Sequence, residues 1–393
     1  MISELSNPKV IQFIQEHLDS DPVELVLKAK NYPEIPVKAV AAQIASRKKI
    51  VSKLPEWYSN PQIIFPPKEN LEQASSEKTA KFKSRWVSGN SLLDLTGGSG
   101  VDSYYLSQRF SDTTYVEPDY QLFELAEHNF NTLNTSILCI NDSAESFLES
   151  PSKKYDVIYL DPSRRNNKSK KVFGIEEYQP NAIELFDVLL KKGKTLLIKA
   201  SPMLDIKSTL VKMPGTSKVQ VVAVSNEVKE ILFFIDKGFS GKTQIEAWNL
   251  NKDNEELFSF THEDEIRSKS NYHAPLTFIY EPNSSIRKAG AFNLIGEKFK
   301  LYKLHPNTHL YTSDEIIEGF PGKVFRIKNI VKPNKKEVLK LVPDKKINVI
   351  SKNYALGANE LKKNYQMKDG GEEFLIFCEC IQIGKICMHC EKL

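Results

Sequence analysis

From Ser91 to Ala200 the chain alternates short apolar runs with helical patterns, and this alternation limits the folds open to it. The runs SLLDLT, TTYVE, SILCI, YDVIYL and TLLIKA end near residues 96, 117, 140, 160 and 200. The segments DSYYLSQRF, DYQLFELAEHNF and QPNAIELFDVLLKK between them predict helices. Strand and helix in strict alternation imply βαβ units and a parallel sheet. Then VQVVAVSNEVKEILFFI (219–235) places two apolar runs around a polar SNEVKE turn, with no room for a helix. Those runs predict an antiparallel hairpin closing the sheet. The expected fold class is α/β with a Rossmann-like sheet.

At 393 residues the chain suits two or three domains. Residues 1–70 read as a helical N-terminal region. VIQFIQEHL and VKAVAAQIASRKKIVSKL repeat at three and four spacing, and Asp21-Pro22 is a helix start. WYSNPQIIFPP (57–67) reads as a linker or substrate-side loop, and LEQASSEKTAKFKSRW (71–86) as one helix capped at Ser75 or Ser76. The α/β core is expected over 71–250 and an α+β part over 251–393. The overall net charge is +4, but from Pro282 to Leu393 there are 20 Lys/Arg against 12 Asp/Glu, a net of +8. Such asymmetry suggests an anionic partner for the C-terminal part. No run approaches a membrane span, and MISELSNPKV has no signal-peptide pattern. With five cysteines in so long a chain, a cytoplasmic protein with reduced thiols is expected.

LLDLTGGSGVDS (92–103) sets Gly97, Gly98 and Gly100 between a strand and a helix. Glycines allow a tight turn and a close approach to a ligand. In a doubly wound sheet this crevice takes a nucleotide-like cofactor. Glu117 ends the next strand, where an acid can bind ribose hydroxyls. Asp142 ends the third, where a carboxylate can hold an adenine amino group. A dinucleotide site wants three glycines, and here Ser103 stands in the third place. An S-adenosylmethionine site wants an acid just before the glycines, and Asp94 is there.

The fourth run ends on Asp161, Pro162 and Ser163, with Arg164, Arg165, Lys168, Lys170 and Lys171 close behind. In a parallel sheet Asp161 should face the same crevice and orient a methyl acceptor, while the proline stiffens the turn. The cations can contact phosphates of a nucleic acid. Lys199, at the end of the fifth strand, either faces this site or pairs with a carboxylate. Gln73, Ser75, Ser76 and Glu77 form either a lid or a plain capped helix.

At these residues the chain resembles class I S-adenosylmethionine-dependent methyltransferases. More narrowly it is similar to a bacterial family with a helical N-terminal part, a methyltransferase core and a C-terminal THUMP-like domain. LPEWYSNPQIIFPP, LEQASSEKTAKFKS, DLTGGSGVDSYYLS, YDVIYLDPSRR, YEPNSSIRKAGAF and LKKNYQMKDGGEEFLIF carry the resemblance over almost the whole chain. It implies an S-adenosyl-L-methionine cofactor held by Asp94, Gly97, Gly98, Gly100, Glu117 and Asp142. It implies an RNA substrate, ribosomal or transfer RNA, facing Asp161 and Pro162. Two departures matter. Amino-directed relatives usually place an aromatic residue where Arg164 stands. Carbon-5 methylation needs a cysteine nucleophile, and Cys139 has no base signature beside it.

Cys378, Cys380, Cys387 and Cys390 invite a zinc reading. FLIFCEC and ICMHC look instead like the arms of a hairpin about IGK, with Cys387 and Cys390 on opposite faces, so no metal is expected. His305 and His309 read as structural or surface residues. Arg287 and Lys288, at a helix start in SSIRKAGA, are candidate phosphate contacts, and KPNKK adds charge. The expectation is therefore an RNA methyltransferase. The alternatives are an RNA-binding protein that keeps the fold with little catalysis, a small-molecule or protein methyltransferase, and, more distantly, a nicotinamide dehydrogenase.

Overall fold

The computed structural model describes residues 2–150, 153–163 and 174–393. Arg164, Arg165, Lys168, Lys170 and Lys171 lie outside the described residues. The chain forms two compact units, Met1–Ser217 with Leu232–Gly241, and Lys218–Ile231 with Lys242–Leu393.

In the first unit, β1 (Gly89–Asp94), β2 (Phe110–Val116), β3 (Ile137–Ile140), β4 (Tyr155–Leu160) and β5 (Gly193–Ala200) are the five expected strands. They lie in the order β3-β2-β1-β4-β5, every neighbouring pair parallel. The chain moves outward from β1 through β2 to β3, then returns to β4 on the other side of β1. Strand order therefore reverses between β1 and β4, which opens a crevice at their C-terminal ends. Asp94 pairs with Tyr159 there, and the Leu95 N–H donates to the Tyr159 carbonyl at 3.1 Å. The helix Tyr120–Thr132 starts on the Asp119 cap. The helix expected over 179–192 is confined to Phe186–Lys192. Its predicted first turns are taken up by Asn181, whose side chain accepts from the N–H groups of Ile183 and Glu184.

Residues 57–67 are no exposed linker. Trp57, Ile63, Ile64 and Phe65 are buried. The buried Arg47 of the helix Val37–Ile50 donates to the carbonyls of Tyr58, Asn60, Pro61 and Ile63. Gln43 and Asn129 bracket the backbones of Phe65 and Ile64, each donating to and accepting from one residue. An extended segment can be buried in this way because side chains satisfy its peptide groups. The single helix expected over 71–86 is two, Lys68–Gln73 and Glu77–Ser84, with Ala74 extended between them. Ser76 caps the second helix and leaves Ser75 turned inward.

The hairpin after β5 is present as β6 (Thr216–Val224) and β7 (Glu227–Asp236), but its turn is only Ser225-Asn226. Both turn residues have positive φ, 49° and 65°, which suits a two-residue hairpin turn and keeps Glu227–Glu230 in the strand. In the first unit the Asp236 N–H donates to the Gly215 carbonyl at 3.0 Å. In the second unit β6 pairs in parallel with β8 (Gln244–Leu250), which pairs antiparallel with β9 (Glu255–Thr261). This β8–β9 hairpin crosses residue 250.

The second unit also holds β10 (Phe278–Pro282), β11 (Tyr302–His305), β12 (Thr308–Ser313), β13 (Gly322–Val331), β14 (Asn348–Lys352), β15 (Glu373–Cys380) and β16 (Gly384–Lys392). Their order is β11-β12-β10-β13-β16-β15-β14. The β15–β16 hairpin carries all four C-terminal cysteines buried and free. Cys378, Cys380 and Cys390 fill one core cluster and Cys387 another. Cys387 and Cys390 thus face opposite ways, as their spacing requires.

Candidate cofactor and acceptor site

The crevice at β1 and β4 is a cavity of about 500 Å³. Asp94, Thr96, Gly97, Gly98, Glu117, Tyr159 and Asp161 line it, with Ser75 and Asp102. Gly97 is required because a Cβ there would lie 2.0 Å from the Tyr115 ring. Gly100 has φ of 78° and starts the helix Val101–Ser107. The Tyr115 hydroxyl donates to the Gly98 carbonyl at 2.7 Å, so the packing that demands a glycine also fixes the turn.

Glu117 follows β2 and is 7% exposed. Its two oxygens accept from Gly98 N–H at 2.7 Å and Asp119 N–H at 2.9 Å, which fixes the carboxylate plane. Burial raises its pKa against those bonds. Asp94 accepts from Thr96 N–H at 2.9 Å and from the Ser103 hydroxyl. Burial, with the charges of Asp102 and Asp161 adding to it, pushes its carboxyl up to about 7. Ser103, a gap when read as a glycine fingerprint, is the anchor of Asp94. Asp142 stands at the end of β3 but does not line the cavity. Its carboxylate accepts from the Ser143 N–H at 2.8 Å, and Ser143, Ala144 and Glu145 line the cavity instead.

Asp161 is bound on both its backbone and its side chain. Its N–H donates to Thr96 Oγ1 at 2.6 Å, tying the end of β4 to the glycine turn. Its Oδ2 is engaged by Lys199. Burial raises the Asp161 pKa and the Lys199 charge opposes the rise. Pro162 is buried at the turn, and Ser163 exchanges backbone hydrogen bonds with Gln179. Behind Asp161 lies a buried group that the sequence did not disclose. Asp102 meets Lys83 at 3.1 Å and Lys199 at 3.4 Å, and accepts from the hydroxyls of Ser75 and Tyr159, each at 2.7 Å. Both ammonium groups lie 3.1 Å from Ser75 Oγ. Although burial opposes ionisation, Lys83 and Lys199 hold the Asp102 carboxyl well below its ordinary range. Of the four residues expected to form either a lid or a capped helix, Gln73 and Ser75 line the cavity. Ser76 serves as the cap, and Glu77 pairs with Lys81 at 2.8 Å. The one signal for Asp102 was an acid in the first turn after the glycines. Lys83 gave none, because its segment reads only as a capped helix. Arg287 and Lys288 lie in the second unit.

A reversed parallel sheet, a glycine turn at the reversal, an acid after β2 and an Asp-Pro turn after β4 define a class I methyltransferase. Comparison with known proteins agrees. Residues 74–180 match the family model described as conserved hypothetical protein 95. Residues 278–321 match a ferredoxin-like domain, and 322–392 a THUMP domain-like model. The crystal structure of a candidate methyltransferase from Porphyromonas gingivalis W83 superposes with a TM-score of 0.88 at 30% identity, covering 97% of both chains. A protein of Flavobacterium johnsoniae named tRNA1(Val) (adenine(37)-N6)-methyltransferase is 27% identical over 172 residues, 36% of this chain and 72% of its own. The chain belongs to the class I S-adenosylmethionine-dependent methyltransferases that carry a C-terminal THUMP-like domain. Among the described residues no helix is long and apolar enough to cross a membrane.

Proposed function

We propose that this methyltransferase acts on RNA, ribosomal or transfer, and that its acceptor is a base nitrogen offering a hydrogen to Asp161. The observation that carries the reading is Asp161 itself, fixed by Thr96 and Lys199 at the mouth of the crevice. The THUMP-like match, the C-terminal excess of positive charge and the tRNA-directed name of the Flavobacterium relative support RNA as the substrate. A cytoplasmic location fits that substrate.

The residues present fit S-adenosyl-L-methionine. Glu117 is a buried acid with a fixed plane and suits ribose hydroxyls. Asp94 suits the ammonium of an amino-acid moiety, and the glycine turn admits the chain between them. When bound, the cofactor supplies an electrophilic methyl group whose carbon–sulfur bonding pair stays with sulfur. The protein's task is then alignment and proton management. Asp161 accepts the hydrogen of the acceptor nitrogen, directs its lone pair into the crevice, and is the base placed to receive the proton that the nitrogen loses. Lys199 and the Asp102 group behind it hold the Asp161 carboxylate in place.

Asp161→Asn and Lys199→Met test this. Asp161→Asn should bind S-adenosylhomocysteine like the parent and lose on the order of 10²-fold or more in kcat. Lys199→Met removes the charge that lowers the Asp161 pKa, so the acid limb of kcat should move to higher pH. Near-parental turnover in Asp161→Asn would overturn the assignment. A methyl acceptor found among proteins or small molecules, with none in RNA, would overturn the substrate.

A further inference from the structure

The second unit gathers positive charge around one ring pair. Arg287 lies on the helix Ser284–Ala289, Lys303 in β11, His309 in β12, Lys323 in β13 and Lys352 at the end of β14. Glu281 of β10 is 5% exposed. Lys352 meets its Oε1 at 2.6 Å, and Arg287 approaches the same oxygen at 3.9 Å. Lys303 is 2% exposed, with its ammonium 5.7 Å from the centre of the Phe292 ring. Phe292 in turn stacks on His309 at 3.9 Å. The carboxylate acting on Lys303 is Glu265, which already accepts from the N–H groups of Asn293 and Leu294. Arg287, Lys303 and Lys352 thus share two carboxylates, and the charge of Lys323 acts on Lys352 as well.

Such an excess is costly where side chains are largely removed from water. The neighbours register it. Burial pushes the His309 imidazole down to about 4, and the charges of Lys303, Arg287 and Lys352 add to the shift. Burial lowers the Lys352 ammonium, and Arg287 and Lys323 lower it further. Among the described residues, Arg287 Nε and His309 Nδ1 are buried without a hydrogen-bond partner. A surplus of guanidinium and ammonium, with a guanidinium N–H and an imidazole nitrogen that donates once the ring is protonated left over, is the chemistry of an anion site.

We infer that Arg287, His309 and Lys352, backed by Lys303 and Lys323, form a phosphate-binding site that takes a backbone phosphodiester of the RNA. The RNA part rests on the proposed function, whereas the anion site does not. Lys352 exchanges Glu281 for the phosphate or shares it, so Glu281 acts as a competitor for the cations.

The test follows the His309 ring by NMR in the full chain, titrated with inorganic phosphate and then with total tRNA. Phosphate should raise the His309 pKa by about one unit or more, the usual effect of a neighbouring opposite charge. Arg287→Gln should abolish that rise. Glu281→Gln keeps every cation and removes the competitor, so it should tighten phosphate binding. In RNA binding, Arg287→Gln with Lys352→Gln should flatten the log K against log salt slope by about one to two, and Lys336→Gln on the exposed lysine run by about one at most. A His309 pKa unmoved by phosphate, or unchanged phosphate affinity in Glu281→Gln, would overturn the site. A phosphate response with no RNA response would keep the anion site and overturn its assignment to RNA.

Discussion

Cofactor affinity should fall steeply in mild acid, and Asp94 should be the reason. The carboxyl is 1% exposed, and burial pushes its pKa up to about 7. An ammonium beside it requires the ionised form. Asp94 is then half ionised near pH 7, and each unit below that costs about tenfold in affinity. Relative to the plateau above pH 8, S-adenosylhomocysteine should bind about tenfold more weakly at pH 6 and about a hundredfold more weakly at pH 5. S-adenosylhomocysteine is the better probe because it lacks the sulfonium charge. Glu117, raised by burial, deepens the loss further into acid. Calorimetry at pH 6, 7 and 8, in two buffers of different ionisation enthalpy, should also show release of roughly half a proton per site at pH 7. Asp94→Asn should bind weakly and lose the pH dependence between pH 6 and 8, keeping only the Glu117 loss further into acid. The variant has a second expected effect. A carboxyl whose folded pKa lies above its unfolded value of 3.8 keeps its proton in the folded state between those values. Stability is therefore lost as pH rises from about 4 to 7. Asp94→Asn should raise the melting temperature of the free protein above pH 7 and change it less near pH 4. Equal parental affinity at pH 6 and pH 8 would refute the reasoning.

Two further outcomes test how the crevice is built. Arg47→Met leaves four buried or half-buried carbonyls without their donor and should cost about 3–5 kcal/mol in urea denaturation, and a loss below about 1 kcal/mol would show that the 57–67 segment is held by its apolar side chains alone. Gly97→Ala drives a methyl group into the Tyr115 ring, whereas at Gly98 a Cβ would meet nothing nearer than 3.8 Å. Gly97→Ala should abolish S-adenosylhomocysteine binding, and Gly98→Ala should cost only the roughly 1–2 kcal/mol of its left-handed backbone.

The sequence discloses the parallel sheet because buried parallel strands are continuous apolar runs, and SLLDLT and YDVIYL have that form. It discloses Asp94, Glu117 and Asp161 because strand ends in such a sheet converge on one crevice. It does not disclose the 57–67 core segment, since an extended stretch stabilised by side chains such as Arg47 and Gln43 has neither period. Nor does it show the Lys83–Asp102–Lys199 group, whose members come from three elements and lie 19 to 116 positions apart. A buried lysine on a short helix looks like any surface lysine until its partner is known. The turn at Ser225-Asn226 was overestimated because Glu227, Lys229 and Glu230 are polar residues within a strand.

The most direct measurement is transfer of radiolabelled methyl from S-adenosylmethionine to RNA isolated from cells lacking this gene. Label should enter a discrete RNA from those cells, not the same RNA from cells carrying the gene, and Asp161→Asn should leave it unlabelled. Absence of label from all RNA, with a protein that binds S-adenosylhomocysteine, would contradict an RNA substrate and direct the search to other acceptors.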